Sequence, residues 1–174
     1  MIKKFVYILN FFIIFQLCGQ SKELKYQFSL TSKLFKNNQF QDALIENDKA
    51  LFLSQKEFGT NHLTTATLYE NKGRLLLKLN NYDKAGVTFK RVIKIRKSLL
   101  NKYDPAIAEA LDYLAISLRK QNDYAKAEKI HSQVLGIMGK IIANNPGQIS
   151  ELSRLSALYR ARAYHNKGDQ LIEM

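Results

Sequence analysis

Thiol chemistry is almost absent from this sequence. Its one cysteine, Cys18, lies in an apolar amino-terminal stretch. Once that stretch is cleaved the chain has no thiol, which excludes disulfides, thiolate metal sites and cysteine nucleophiles. It also fits an oxidising compartment, where a free thiol is a liability. Two prolines and eight glycines are too few for a loop-rich β fold. No segment of useful length alternates apolar and polar residues as a half-buried strand does. The three histidines are His62, His131 and His165, and no pair has the i, i+4 spacing of a helical metal site. A glycine-rich phosphate loop and a G-x-S-x-G elbow are both missing. Acidic residues number 15 against 27 basic ones and are scattered among lysines, as on a solvated helix face. The chain is therefore expected to have no enzymatic activity, no cofactor and no metal.

What the sequence does have is a period. Phe40, Tyr82 and Tyr124 are 42 residues apart in turn. So are Ala43, Ala85 and Ala127, then Ala50, Val92 and Val134, then Leu53, Ile95 and Ile137. Small and large apolar residues returning at one interval over three copies indicate a helical repeat array.

The first residues have the parts of a secretory signal. Lys3 and Lys4 form a positive start, Phe5 to Leu17 is apolar but for Asn10 and Gln16, and no acid precedes Glu23. The apolar run falls short of the ~20 residues needed to span a bilayer, so cleavage is favoured over a permanent anchor. Residues 1–19 are read as a signal peptide and 20–174 as the repeat domain. Cys18 invites a lipoprotein reading, but Leu17, directly before it, is not the small residue that lipid attachment wants.

The rest reads as helices. The segments are Ser21 to Phe40, Gln41 to Phe58, about His62 to Leu79, Tyr82 to Tyr103, Asp104 to about Gln121, Tyr124 to about Ala143, and Gln148 to about Tyr164. Gly59 suits a left-handed helix end. Asp104-Pro105 is a strong start, an N-cap followed by a proline at the first helical position. Asn144-Asn145-Pro146-Gly147 is the strongest turn. Short turns between helices imply antiparallel hairpins. About seven helices after the signal give an all-α, right-handed superhelix. The copies span about 24–60, 61–103, 104–145 and a partial 146–174.

Within one copy the residues resemble the tetratricopeptide pattern. The second copy has small Gly73, apolar Leu76, aromatic Tyr82, small Ala85, aromatic Phe89 and apolar Val92. The third has Ala115, Leu118, Tyr124, Ala127 and Val134, with His131 where Phe89 stood. The first has Leu34, Phe40, Ala43 and Ala50, with Thr31 and Asn47 as departures. The common period of this family is ~34 residues; 42, with Gly59 and His62-Leu63 in one linker and Asp104-Pro105 in the next, is similar to the kinesin light-chain type. The small residues let paired helices approach, and the aromatics plug the gap to the next hairpin. On this reading Gly73→Ala is mild or stabilising, because a small residue suffices and glycine weakens a helix by about 1 kcal/mol.

The resemblance implies that the first helix of each pair lines a concave groove. The candidates to bind a peptide there are Asn71, Arg74, Lys78, Tyr113, Arg119 and Lys120. The wider groove-facing set adds Glu70, Leu77, Glu109, Asp112 and Ile116, with Ser32, Phe35 and Lys36 from the first copy and Arg154 and Arg160 from the fourth. Asn71 matches the asparagine that grips a ligand backbone in peptide-binding members, its amide offering donor and acceptor together. Tyr113 holds the equivalent place in the third copy. The Lys/Asn/Arg set of the two-carboxylate clamp is not reproduced.

A net charge of +12, about +10 without the leader, favours acidic partners or anionic head groups. It is equally the charge of a lysine-rich surface. The run Lys90 to Lys97 has Val92, Ile93 and Ile95 at core spacing, so it reads as a buried stripe flanked by solvated lysines, not as a nucleic-acid site. The expected function is an exported, periplasmic or secreted scaffold that binds an acidic protein segment. Alternatives are the sensor or recruitment module of a larger signalling or CHAT-type peptidase protein, and a basic protein at a membrane surface, tethered through a retained leader or a lipidated Cys18.

Overall fold

The computed structural model describes residues 21–144. They form six helices: α1 Lys22–Lys36, α2 Phe40–Phe58, α3 Leu63–Lys78, α4 Tyr82–Leu99, α5 Pro105–Lys120 and α6 Tyr124–Asn144. Each packs chiefly on its neighbours in sequence. The result is three antiparallel hairpins stacked into a solenoid, whose stability is a sum of neighbour interfaces. The leader, the seventh helix and the partial fourth copy, with Arg154, Arg160 and His165, lie outside the described residues.

Local chemistry sets the boundaries. Ser21 Oγ accepts from the Leu24 N–H at 3.2 Å and caps α1. His62 caps α3 through Nδ1, which accepts from the Thr64 N–H at 3.1 Å, and its ring stacks on Phe58 at 4.7 Å. Asp104 Oδ1 accepts from the Ala106 N–H at 2.8 Å, with Pro105 first in α5, as the sequence predicts. Each hairpin turns on one asparagine: Asn38, Asn80 and Asn122 have φ of 61°, 58° and 60°. The next residue donates five back, Gln39 to Leu34, Asn81 to Leu76 and Asp123 to Leu118, at 2.8 to 3.0 Å. This is the Schellman arrangement, which satisfies carbonyls a helix end leaves open.

Helix α4 is shorter than expected. It stops at Leu99 rather than Tyr103, because Leu100 is extended and Asn101 Oδ1 accepts from the Tyr103 N–H at 3.0 Å. A side chain that offers the backbone such a bond competes with the helix. Leu100 and Tyr103 then pack against the core.

One continuous core runs along the array. Ala43, Ala85 and Ala127 are fully buried, as are Ala50, Val92 and Val134. Phe40, Tyr82 and Tyr124 are only half-buried. The two tyrosine hydroxyls return to the turn of their own hairpin, donating to Asn80 and Asn122 Oδ1 at 2.7 and 3.3 Å. Phe40 meets a residue of the next hairpin, with Lys78 Nζ 5.9 Å from its ring centre.

A compensation in volume explains the departures from the repeat. Gly73 and Phe89 face one another in the second copy, and the equivalent repeat positions hold Thr31 and Asn47 in the first and Ala115 and His131 in the third. All six are buried. As the second-helix side chain grows from Asn to His to Phe, the first-helix one shrinks from Thr to Ala to Gly. Two of the polar members are bonded: Asn47 Nδ2 donates to the Leu68 carbonyl at 3.1 Å, and Thr31 Oγ1 to the Gln27 carbonyl at 2.8 Å. The expectation that Gly73→Ala is mild is therefore corrected. A Cβ at Gly73 would stand 2.6 Å from Phe89 Cζ, inside contact distance.

Candidate inner-face binding site

The first helices also touch one another directly, α3 against α5. Together α1, α3 and α5 form one side of the array, called its inner face below. The aromatic and cationic residues expected there do meet. The Arg74 guanidinium carbon lies 5.7 Å from the Phe35 ring centre and 5.6 Å from that of Tyr113. A cation from α3 thus bridges an aromatic from α1 and one from α5. Tyr113 stacks in turn on buried Phe89, at 5.2 Å and 9°. Phe35 meets Phe40 edge to face at 5.5 Å, and Lys78 covers Phe40. Each cation–ring contact is worth about 0.5–1 kcal/mol at an exposed site.

Asn71 is half-buried one turn before Arg74 on α3, and its side chain makes no hydrogen bond among the described residues. Lys78 and Lys120 are exposed at the ends of α3 and α5, and Arg119 is half-buried. Asn71, Arg74 and Lys78 follow one face of α3, as Tyr113 and Lys120 follow one face of α5, while Arg119 lies about a third of a turn away from it. The structure joins Phe35, Arg74 and Tyr113 into one row.

Two residues projected onto the groove surface are instead buried. Glu70 pairs with Arg96 of α4, whose Nη1 also donates to the Ala106 carbonyl at 2.8 Å. Asp112 faces His131 of α6, Oδ1 to Nε2, at 3.3 Å. A charge leaves water only with a partner, and α4 and α6 supply one each. Sequence reasoning missed this layer, because Arg96 sits inside the basic run Lys90 to Lys97. The available signal was the register: Phe28, Glu70 and Asp112 share one repeat position, so acids stand where the first copy has a core phenylalanine.

The layer perturbs two titrations. The Glu109 carboxyl is pushed up to about 7, first by burial and then by the negative charge of Glu70; Arg96 and Arg74 oppose the shift. Burial, helped by the positive charge of Arg119, lowers the His131 pKa, although its Nε2 lies 3.3 Å from Asp112 Oδ1. Among the described residues, no three His, Cys, Asp or Glu side chains gather to hold a metal ion, and no helix is long and apolar enough to cross a membrane.

Comparison with known proteins agrees with this architecture. Models of the tetratricopeptide repeat match residues 34–98 and 107–141. No curated protein matches the sequence. Among solved structures, the chain is similar to the nearly identical TPR-like repeats of a kinesin light chain from Podosopora anserina, at 20% identity and a TM-score of 0.67, over 83% of this chain and 67% of that one. It is also similar to BtubC (BKLC) from P. vanneervenii, at 13% identity and a TM-score of 0.64, over 89% of this chain and 68% of that one. The TPR2B domain of yeast Sti1, solved in complex with pHsp70, matches at 18% identity and a TM-score of 0.54, over 82% of this chain and 99% of that domain. The chain belongs to the tetratricopeptide repeat family, with repeats of the kinesin light-chain kind.

Proposed function

We propose that the inner face binds an extended acidic segment of a partner protein, without catalysis. The observation that carries this reading is Arg74 held between Phe35 and Tyr113. A guanidinium held between two rings sets a fixed positive charge on this face and loses little side-chain freedom when a carboxylate binds. Asn71, one turn away, has the donor and acceptor needed to hold a peptide backbone. Lys78 and Lys120 add positive charge beyond the row, which favours an acidic segment over a basic one. Sti1 TPR2B, which shares the fold, was solved with a protein-derived partner; that likeness is one of fold, and the reading rests on the residues. Its place of action is outside the cytoplasm, a reading supported by Lys3, Lys4 and the apolar run after them.

The test is a pull-down from envelope extract with the parent chain and with Asn71→Ala/Arg74→Glu, at low and high salt. A partner kept by the parent and lost by the variant supports recognition by the inner face. A partner held equally by both, and released by salt, removes the assignment.

A further inference from the structure

We propose that the opposite face, formed by the second helices α2, α4 and α6, docks on an anionic lipid bilayer. Ile45, Phe52 and Val87 are 49%, 67% and 68% exposed. These three share one stripe. Ile45 and Phe52 are two turns apart on α2. Val87 holds in α4 the repeat position that Ile45 holds in α2, and successive hairpins present equivalent positions on the same side of a solenoid.

The stripe turns cationic as it continues. Lys90 and Lys94 follow Val87 by one and two turns, and Lys94 takes the repeat position of Phe52. Lys129 of α6 takes that of Ile45 and Val87. These three lysines are exposed and have no ion pair among the described residues. The nearby acids are largely occupied: Asp48 is held by Lys72 at 2.8 Å and Glu46 by Lys49 at 2.9 Å. Asp42 and Asp83, in the first turns of α2 and α4, leave only the turn end of the face negative.

The combination discriminates between partners. Protein interfaces are depleted in lysine at their cores. An anionic bilayer selects for lysines beside apolar side chains, because the lysines meet the head groups while the apolar groups enter the head-group and acyl boundary. This face is independent of the inner row, so the array can hold a partner and a bilayer at once.

The chain contains no tryptophan, so a single introduced indole reports its own position without background. Full-length Phe52→Trp is mixed with vesicles of phosphatidylglycerol and phosphatidylcholine, with vesicles of phosphatidylcholine alone, and with each carrying brominated acyl chains. Tyr113→Trp on the inner face is the control for attachment through the apolar leader or any other surface. The expected result is blue-shifted, bromine-quenched emission for Phe52→Trp with anionic vesicles only, and none for Tyr113→Trp. Lys90→Gln/Lys94→Gln in the Phe52→Trp background should weaken partitioning roughly fivefold per lysine. Unquenched Phe52→Trp emission overturns the proposal, whether or not the chain sediments with the vesicles. Emission that shifts with polyglutamate and not with vesicles also overturns it, and assigns the face to an acidic protein.

Discussion

Gly73 sits on the tip of the Phe89 ring, and the three atoms nearest to where its Cβ would stand are all ring carbons, within 2.9 Å. The ring has little room to yield, being fully buried and stacked on Tyr113. Gly73→Ala should therefore destabilise the chain by about 1–3 kcal/mol through overpacking, despite the better helix propensity of alanine. Urea unfolding followed by circular dichroism measures it. Phe89→Leu in the same chain should recover part of the loss, because it removes the clashing ring edge. Equal stability of parent and Gly73→Ala would show that the ring moves aside freely.

How much of this was legible in advance depends on the residue. The period, the hairpins, the asparagine turns and the Asp104-Pro105 start were readable because each acts locally or repeats at 42. The row Phe35–Arg74–Tyr113 was readable only in its members. That Arg74 lies between two rings is a relation across three helices, which no register expresses. The buried acids were misplaced for a related reason. Glu70 and Asp112 occupy groove-side positions by count, but their partners, Arg96 and His131, come from the other helix of the pair, and pairing overrides the surface preference of a carboxylate. The Gly73–Phe89 fit shows that a position read as small can be small for a specific neighbour.

Arg96 is the second test of that buried layer. It closes the Glu70 carboxylate and reaches the Ala106 carbonyl across the interface between α4 and α5. Arg96→Met leaves Glu70 buried without its partner, which should cost about 3–5 kcal/mol. Arg96→Met/Glu70→Leu should be more stable than Arg96→Met alone, because no uncompensated charge remains. If the double variant is no better than the single one in urea unfolding, the carboxylate is not what the arginine neutralises.

The hairpin turns make a third prediction. Asn80 has a φ of 58°, in the left-handed region that asparagine tolerates and alanine does not. Asn80→Ala should cost about 1 kcal/mol, from the backbone strain and from the loss of the bond from the Tyr82 hydroxyl. Asn80→Gly meets the backbone requirement and should lie between alanine and the parent. Thermal unfolding of the three chains gives the order. Alanine and glycine variants of equal stability would mean that the hydroxyl bond, not the backbone, sets the cost.

Glu109 gives the array a pH dependence whose sign can be worked out. Its ordinary value is 4.5, and burial beside Glu70 raises it to about 7 in the folded chain. Between those values the folded state keeps a proton that the unfolded chain has released. This contribution to stability is whole below about 4.5 and is lost as the pH rises through 7. His131 acts in the opposite sense, since its lowered pKa makes folded stability fall as the pH drops below 6.5. Glu109→Gln removes the first dependence and leaves the second. The variant should gain in urea midpoint relative to the parent as the pH rises from 4.5 to 7, hold that gain above 7, and keep the loss toward acid that His131 contributes. A parent–variant difference that stays constant across that interval would show that Glu109 titrates as an ordinary surface carboxylate, and that the charge of Glu70 does not reach it.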